Sequence, residues 1–205
     1  MITSHPLLSR RPARPVASIA LLPEAEELSL SKGRVHEACG PARQTFAMWL
    51  AVRTQGPVIW IAPGWAKAKL HSDGIARWID PARLVFVHPN REEDLLWSME
   101  ETLRSGAVSL TIADLATLPG LTQIRRMHLA AENGAQSGQG TPLGLLLTPG
   151  QGGAPGVETR WSLACRHAKE QDGWNLERLR ARTAPHKSWH ILQSQQEKHL
   201  RVKAA

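Results

Sequence analysis

The chain has 205 residues and a net charge of +7, with 42% hydrophobic and 21% charged residues, a composition that suits one globular domain and excludes a disordered chain. No apolar run approaches the ~20 residues of a membrane helix, and no uninterrupted apolar stretch follows the first basic residues, so neither a membrane span nor a secretory leader is expected. The two cysteines, Cys39 and Cys165, exclude a disulfide framework and suit a reducing, cytoplasmic setting.

Residues 1–18 read as a basic, proline-rich arm, and residues 19–33 as an irregular lead-in ending at Gly33. Arg34 to Ala38 predicts a short strand, broken at Cys39-Gly40-Pro41. Gln44 to Thr54 is apolar nearly all round and predicts a buried helix. Val58 to Ala62 and Leu84 to Val87 are continuous apolar runs, the pattern of strands covered on both faces. A short helix from Leu70 to Trp78 lies between them, stopped by Asp80-Pro81.

Asn90-Arg91-Glu92-Glu93 has the form of a capping box. The helix it opens turns Leu95, Leu96, Met99 and Leu103 inward and Glu93, Glu100, Glu101 and Arg104 outward, and it ends at Gly106. Val108 to Ile112 predicts a strand closing at Ala113-Asp114. Thr122 to Asn133 predicts a helix with Ile124, Met127, Leu129 and Ala130 inward and Gly134 as its left-handed cap. Leu143 to Leu147 is a further buried strand. A glycine-rich stretch, 149–156, reads as a mobile hairpin loop. Thr159 to Cys165, Asn175 to Arg182 and Trp189 to Leu192 then follow as strands with short connections. The expected fold is α/β: one domain over residues 19–193, with a mostly parallel central sheet flanked by helices and extended by C-terminal antiparallel strands. Residues 194–205 read as a polar, basic tail that orders only on a partner.

Gly40, between a strand and an apolar helix, stands where a phosphate-binding loop would open. The pattern G-x-x-x-x-G-K-[ST] requires glycine, lysine and a hydroxyl at 45–47, but Thr45, Phe46 and Ala47 stand there. Gly40, Pro41, Arg43, Gln44 and Thr45 therefore form a shortened, degenerate loop. Arg43 offers charge without the compact reach of a lysine. Asp114, at a strand end, is placed like a magnesium-holding acid or acts as a plain strand-end cap. With phosphoryl transfer dependent on such positioned charges, no catalytic residue and no cofactor is expected. Cys165-x-His167 and His186-x-x-x-His190 do not make a zinc site, because four residues of extended chain span ~13 Å. The paired acids Glu92-Glu93 and Glu100-Glu101 read as a solvated helix face.

The charge is concentrated at the end of the chain: residues 160–205 carry 10 Lys/Arg against 4 Asp/Glu, a balance of +6. Arg178, Arg180 and Arg182 alternate and would share one face of a strand. Lys187, Lys198, Arg201 and Lys203 follow, with Trp161, Trp174 and Trp189 among them. Such a surface suits a protein partner or single-stranded nucleic acid. The plainer alternatives are tryptophans in the core and arginines guarding a sheet edge. Arg125 and Arg126 are further contact candidates.

Gly33 to Pro41 is similar to the opening strand and loop of RecA-like folds. Asp80 to Val87, Glu93 to Ala107, Arg125 to Glu132 and Thr159-Arg160-Trp161 together resemble ImuA-type proteins, accessory factors of bacterial SOS mutagenesis, over roughly residues 30–192. The resemblance implies a RecA-like domain acting in translesion DNA synthesis with an ImuB-type relative of the Y-family polymerases. It also implies association with RecA and an error-prone C-family polymerase subunit. Kinship of the group with SulA, the FtsZ-binding division inhibitor, implies a second role, and a DNA-dependent ATPase with an atypical loop is a third.

Overall fold

A computed structural model describes residues 17–23, 25–66, 70–136, 140–169, 171–194 and 200–203; most of the expected N-terminal arm and Lys198 lie outside them. The strands and helices run β1 (Ser18–Ala20), β2 (Ser29–Ser31), β3 (Val35–Cys39), α1 (Arg43–Val52), β4 (Val58–Ile61), α2 (Ser72–Ala76), β5 (Leu84–Val87), α3 (Glu92–Ser105) and β6 (Leu110–Asp114). They continue as α4 (Leu121–Gln136), β7 (Leu143–Leu147), β8 (Thr159–Cys165), β9 (Gln171–Ala181), β10 (Lys187–Ser194) and β11 (Leu200–Lys203). A nine-stranded sheet has the order β11-β10-β9-β8-β3-β7-β6-β4-β5, and β1 and β2 form a separate antiparallel pair. From β8 to β5 all neighbours are parallel. β9, β10 and β11 extend the sheet antiparallel.

The parallel strands are apolar at successive positions because both faces are covered. On one face α1 and the β1–β2 pair bury Leu28, Leu30, Phe46 and Trp49 in one core with Ile112 and Trp161 of the sheet. Trp49 packs edge-on against Trp174 at 5.1 Å between ring centroids. On the other face α3 and α4 bury Leu95, Met99, Leu103, Ile124 and Met127. Trp161, Trp174 and Trp189 all belong to the core, so these strand tryptophans are packing residues.

Several local expectations are corrected. β5 is the open edge of the sheet and not a doubly covered strand: Val85 and Phe86 are 47% and 45% exposed. Asn90 does not cap α3; Arg91 holds the N-cap position without a side-chain bond, and Glu92, Glu93 and Asp94 fill the first turn, where the helix dipole favours acids. Glu100 is buried rather than solvated, because Arg104 and Arg126 both reach its carboxylate. Leu129 faces outward, 59% exposed.

Gly134 does not end α4, which continues to Gln136. A Cβ at this glycine would lie 2.1 Å from Leu103 O, so the missing side chain serves a close approach of α4 to the end of α3 and not a left-handed cap. Gly106, in contrast, does cap α3, with φ +64°. In the expected polar tail, Leu200–Lys203 is a strand paired to β10, with Val202 opposite Ile191.

Candidate functional site

The loop between β3 and α1 is held closed by its neighbours. Gly40 N–H donates to Gly150 O at 3.1 Å and Ala42 N–H to Leu163 O at 3.0 Å. Pro41 has no N–H to offer. Gly40 adopts φ +84°, and a Cβ there would lie 2.7 Å from Leu163 O, so the loop lies flat against β8. The Gly40 and Ala42 amides of this loop are thus spent on protein carbonyls.

Asp114, at the carboxyl end of β6, meets the first turn of α1. It accepts from Gln44 Nε2 at 2.9 Å and lies 3.4 Å from an Arg43 terminal nitrogen. Sequence reasoning placed Arg43, Gln44 and Asp114 as candidates separately; the fold brings the three together. Thr45 lies half-buried on the same turn. Arg43, Gln44 and Asp114 form one wall of a pocket of about 420 Å³ whose other walls include Trp60, Ala62, Phe86 and His88. The pocket opens at the carboxyl ends of β4, β5 and β6, where open parallel sheets hold ligands. Arg43 Nε is buried without a hydrogen-bond partner. The arginine charge faces the aspartate, so the cationic and anionic groups of the cleft offset one another.

Behind this loop stands a buried polar cluster that sequence reasoning missed. Glu37, with no solvent exposure, accepts at Oε1 from Thr148 Oγ1 (2.7 Å), Gly153 N–H (2.8 Å) and Ala154 N–H (3.1 Å). Arg160 Nε donates to its other oxygen. The glycine-rich stretch is therefore folded around a carboxylate and is not a free hairpin loop. The signal was a lone acid among the apolar residues of a strand. Next to it, His36 is fully buried, with Nδ1 at 2.7 Å from Thr159 Oγ1 and Nε2 at 2.9 Å from Ser31 O. Burial, above all, pushes its pKa down to about 4. Burial and the Glu37 charge push the Cys39 thiol up to about 11, so it is no nucleophile at neutral pH.

The basic candidates do not form one surface. Arg178 is 7% exposed and lies over the rings of Trp161 and Trp189, donating to Pro185 O and Glu27 O, both at 3.1 Å. A bulge sets Arg178 opposite Trp161 but Arg180 opposite Arg160, so the two arginines leave the sheet on opposite faces. Alternation in the sequence failed here because the strand is interrupted between them. Arg182 approaches Glu158 at 3.9 Å, and Lys187 bonds Glu27 at 2.6 Å. Arg201 and Lys203 are exposed on the outermost strand β11. Arg126 pairs with Glu100 at 2.9 Å. Arg125 and Arg182 line one hollow, beside Arg34 and His128.

Among the described residues, no helix is long and apolar enough to cross a membrane. No protein-family model matches the chain, and no curated protein matches it in sequence.

Proposed function

We propose that this chain is a non-catalytic, RecA-like accessory protein of damage-induced translesion DNA synthesis. It docks an ImuB-type relative of the Y-family polymerases, with RecA and an error-prone C-family subunit as further partners. The observation that carries the reading is the closed loop: Gly40 and Ala42 spend their amides on Gly150 and Leu163, while Arg43 and Gln44 bond Asp114. A cleft in the position of a nucleotide site, with the Gly40 and Ala42 amides already bonded to protein carbonyls, fits a fold retained as a scaffold. Support for the RecA-like assignment comes from the sheet order, in which β7 separates the loop-bearing β3 from the acid-bearing β6 and sets both at one carboxyl edge.

ATP turnover by the full chain, with and without single-stranded DNA, tests this. The expected rate equals the protein-free blank in both conditions. Turnover that is lost in Thr45→Ala and Asp114→Ala would overturn the scaffold reading in favour of an ATPase. Filamentous, undivided cells on overexpression, with mutation frequency unchanged, would replace it with division inhibition.

A further inference from the structure

Two hollows meet on the outer side of α3, where it packs beside α4. The first, of about 380 Å³, is bounded by Trp65 and Leu118; the second, of about 340 Å³, by Trp97 and Asp94. Glu93, Leu96 and Gln123 line both, so the two form one groove. Trp65, Trp97 and Leu118 are 52%, 58% and 48% exposed.

The first turn of α3 gives this groove its charge. The helix dipole accounts for acids at Glu92, Glu93 and Asp94. It does not account for two indoles and a leucine left in water beside them, at a cost of roughly 25 cal/mol per Å² of apolar surface. Tryptophan is the residue type most enriched among interface anchors. Glu100 already pairs with Arg104 and Arg126, and Glu92 accepts from Thr117 Oγ1. Among the described residues, Glu93 and Asp94 have no ion-pair partner.

We infer that this groove docks a partner-protein segment carrying arginine beside an aliphatic anchor. Arginine fits both chemistries on the groove wall: its fork pairs with the carboxylates of Glu93 or Asp94, and its planar face stacks on Trp97. The aliphatic anchor fills the hollow between Leu96 and Leu118. Nucleic acid is repelled, since the open charges are acidic. The contact surface for a protein is thereby separate from the basic strands β9 to β11. The inference deepens the docking reading and rests on it for the existence of a partner. ATP turnover would sink that reading and leave the groove untouched, whereas loss of peptide binding at the groove would sink this inference and leave the cleft untouched.

The test is fluorescence anisotropy of the full chain with a short labelled peptide of arginines and leucines, against its Arg→Lys and Arg→Glu counterparts. The arginine peptide is expected to bind, the lysine peptide more weakly, and the glutamate peptide not at all. Trp97→Ala and Glu93→Arg should each weaken binding by about tenfold or more, with thermal melting unchanged. Asp73→Arg, remote on α2 and exposed, should leave it within about twofold after charge screening. Equal binding in Trp97→Ala, an equal loss in Asp73→Arg, or no binding of the arginine peptide would each overturn the inference. So would concentration-dependent dimers abolished by Trp97→Ala, which would make a second copy the occupant.

Discussion

Arg160 Nε donates to Glu37 Oε2 at 2.5 Å, inside a site where the carboxylate has no solvent exposure at all. The same carboxylate holds the amides of Gly153 and Ala154. Three residues before Gly153, Gly150 supplies the carbonyl that occupies Gly40 N–H. Glu37 thus fastens the segment that closes the loop between β3 and α1. Glu37→Ala should cost about 3–5 kcal/mol, the usual range when one partner of a buried ion pair is removed. Glu37→Gln, which keeps an acceptor for the amides, should cost less. Urea unfolding of the two variants provides the check, and a Glu37→Ala cost under about 1 kcal/mol would show that the pair does not secure the loop.

Acid sensitivity should come from His36. Its pKa lies near 4 in the folded protein, mainly through burial, with Arg34 and His128 adding repulsion, against an ordinary value of 6.5. Below pH 6.5 the unfolded chain takes up a proton that the folded chain refuses until about pH 4. Stability is therefore fully present above pH 6.5 and declines as pH falls toward 4, by about 3 kcal/mol from this group. His128, also lowered chiefly by burial, adds to the decline in the same direction. His36→Gln should flatten the dependence of stability on pH between those limits. An unchanged slope would assign the acid transition to other groups.

Two helical glycines should respond to alanine with opposite signs. At Gly134 the new Cβ would meet Leu103 O at 2.1 Å and Gly106 N at 3.1 Å, both backbone atoms that cannot swing aside. The overpacking cost of about 1–3 kcal/mol outweighs the gain of about 1 kcal/mol in helix propensity. At Gly74 in α2 nothing lies within 4 Å of the position an added methyl would take, so Gly74→Ala should gain about 0.4–1 kcal/mol. Thermal melting of the pair decides it: a stabilised Gly134→Ala would mean that α4 moves away from α3 with little cost.

Patterns of neighbouring residues made most elements legible. The apolar runs at β4, β6 and β7 and the periodic faces of α3 and α4 stood out because burial on both sides, or on one helical stripe, writes itself into spacing. What escaped were features set by distant chain segments. Leu84–Val87 reads like a central strand, and only the strand order reveals that it is an edge. Gly134 reads like a cap because its reason for being glycine is a carbonyl on another helix. The Glu37 cluster joins residues more than a hundred positions apart, a relation that local spacing does not encode. At the cleft, the missing lysine was legible, but the spending of the loop amides on Gly150 and Leu163 was not.

The bulge in β9 divides the basic residues into structural and available ones. Arg178 is enclosed by Trp161 and Trp189 and satisfies the carbonyls of Pro185 and Glu27, so its charge is part of the packing. Arg178→Ala should lower stability by about 2–4 kcal/mol, combining lost charged hydrogen bonds with lost contact to the rings. Arg178→Lys should rescue little, because an ammonium cannot reach two carbonyls in a planar fork while lying over two indoles. Arg180, exposed on the opposite face, should tolerate alanine within about 0.5 kcal/mol. Denaturant midpoints of the three variants test the division. Equal effects at Arg178 and Arg180 would mean that both arginines serve the surface, and that the strand runs without the bulge that separates them.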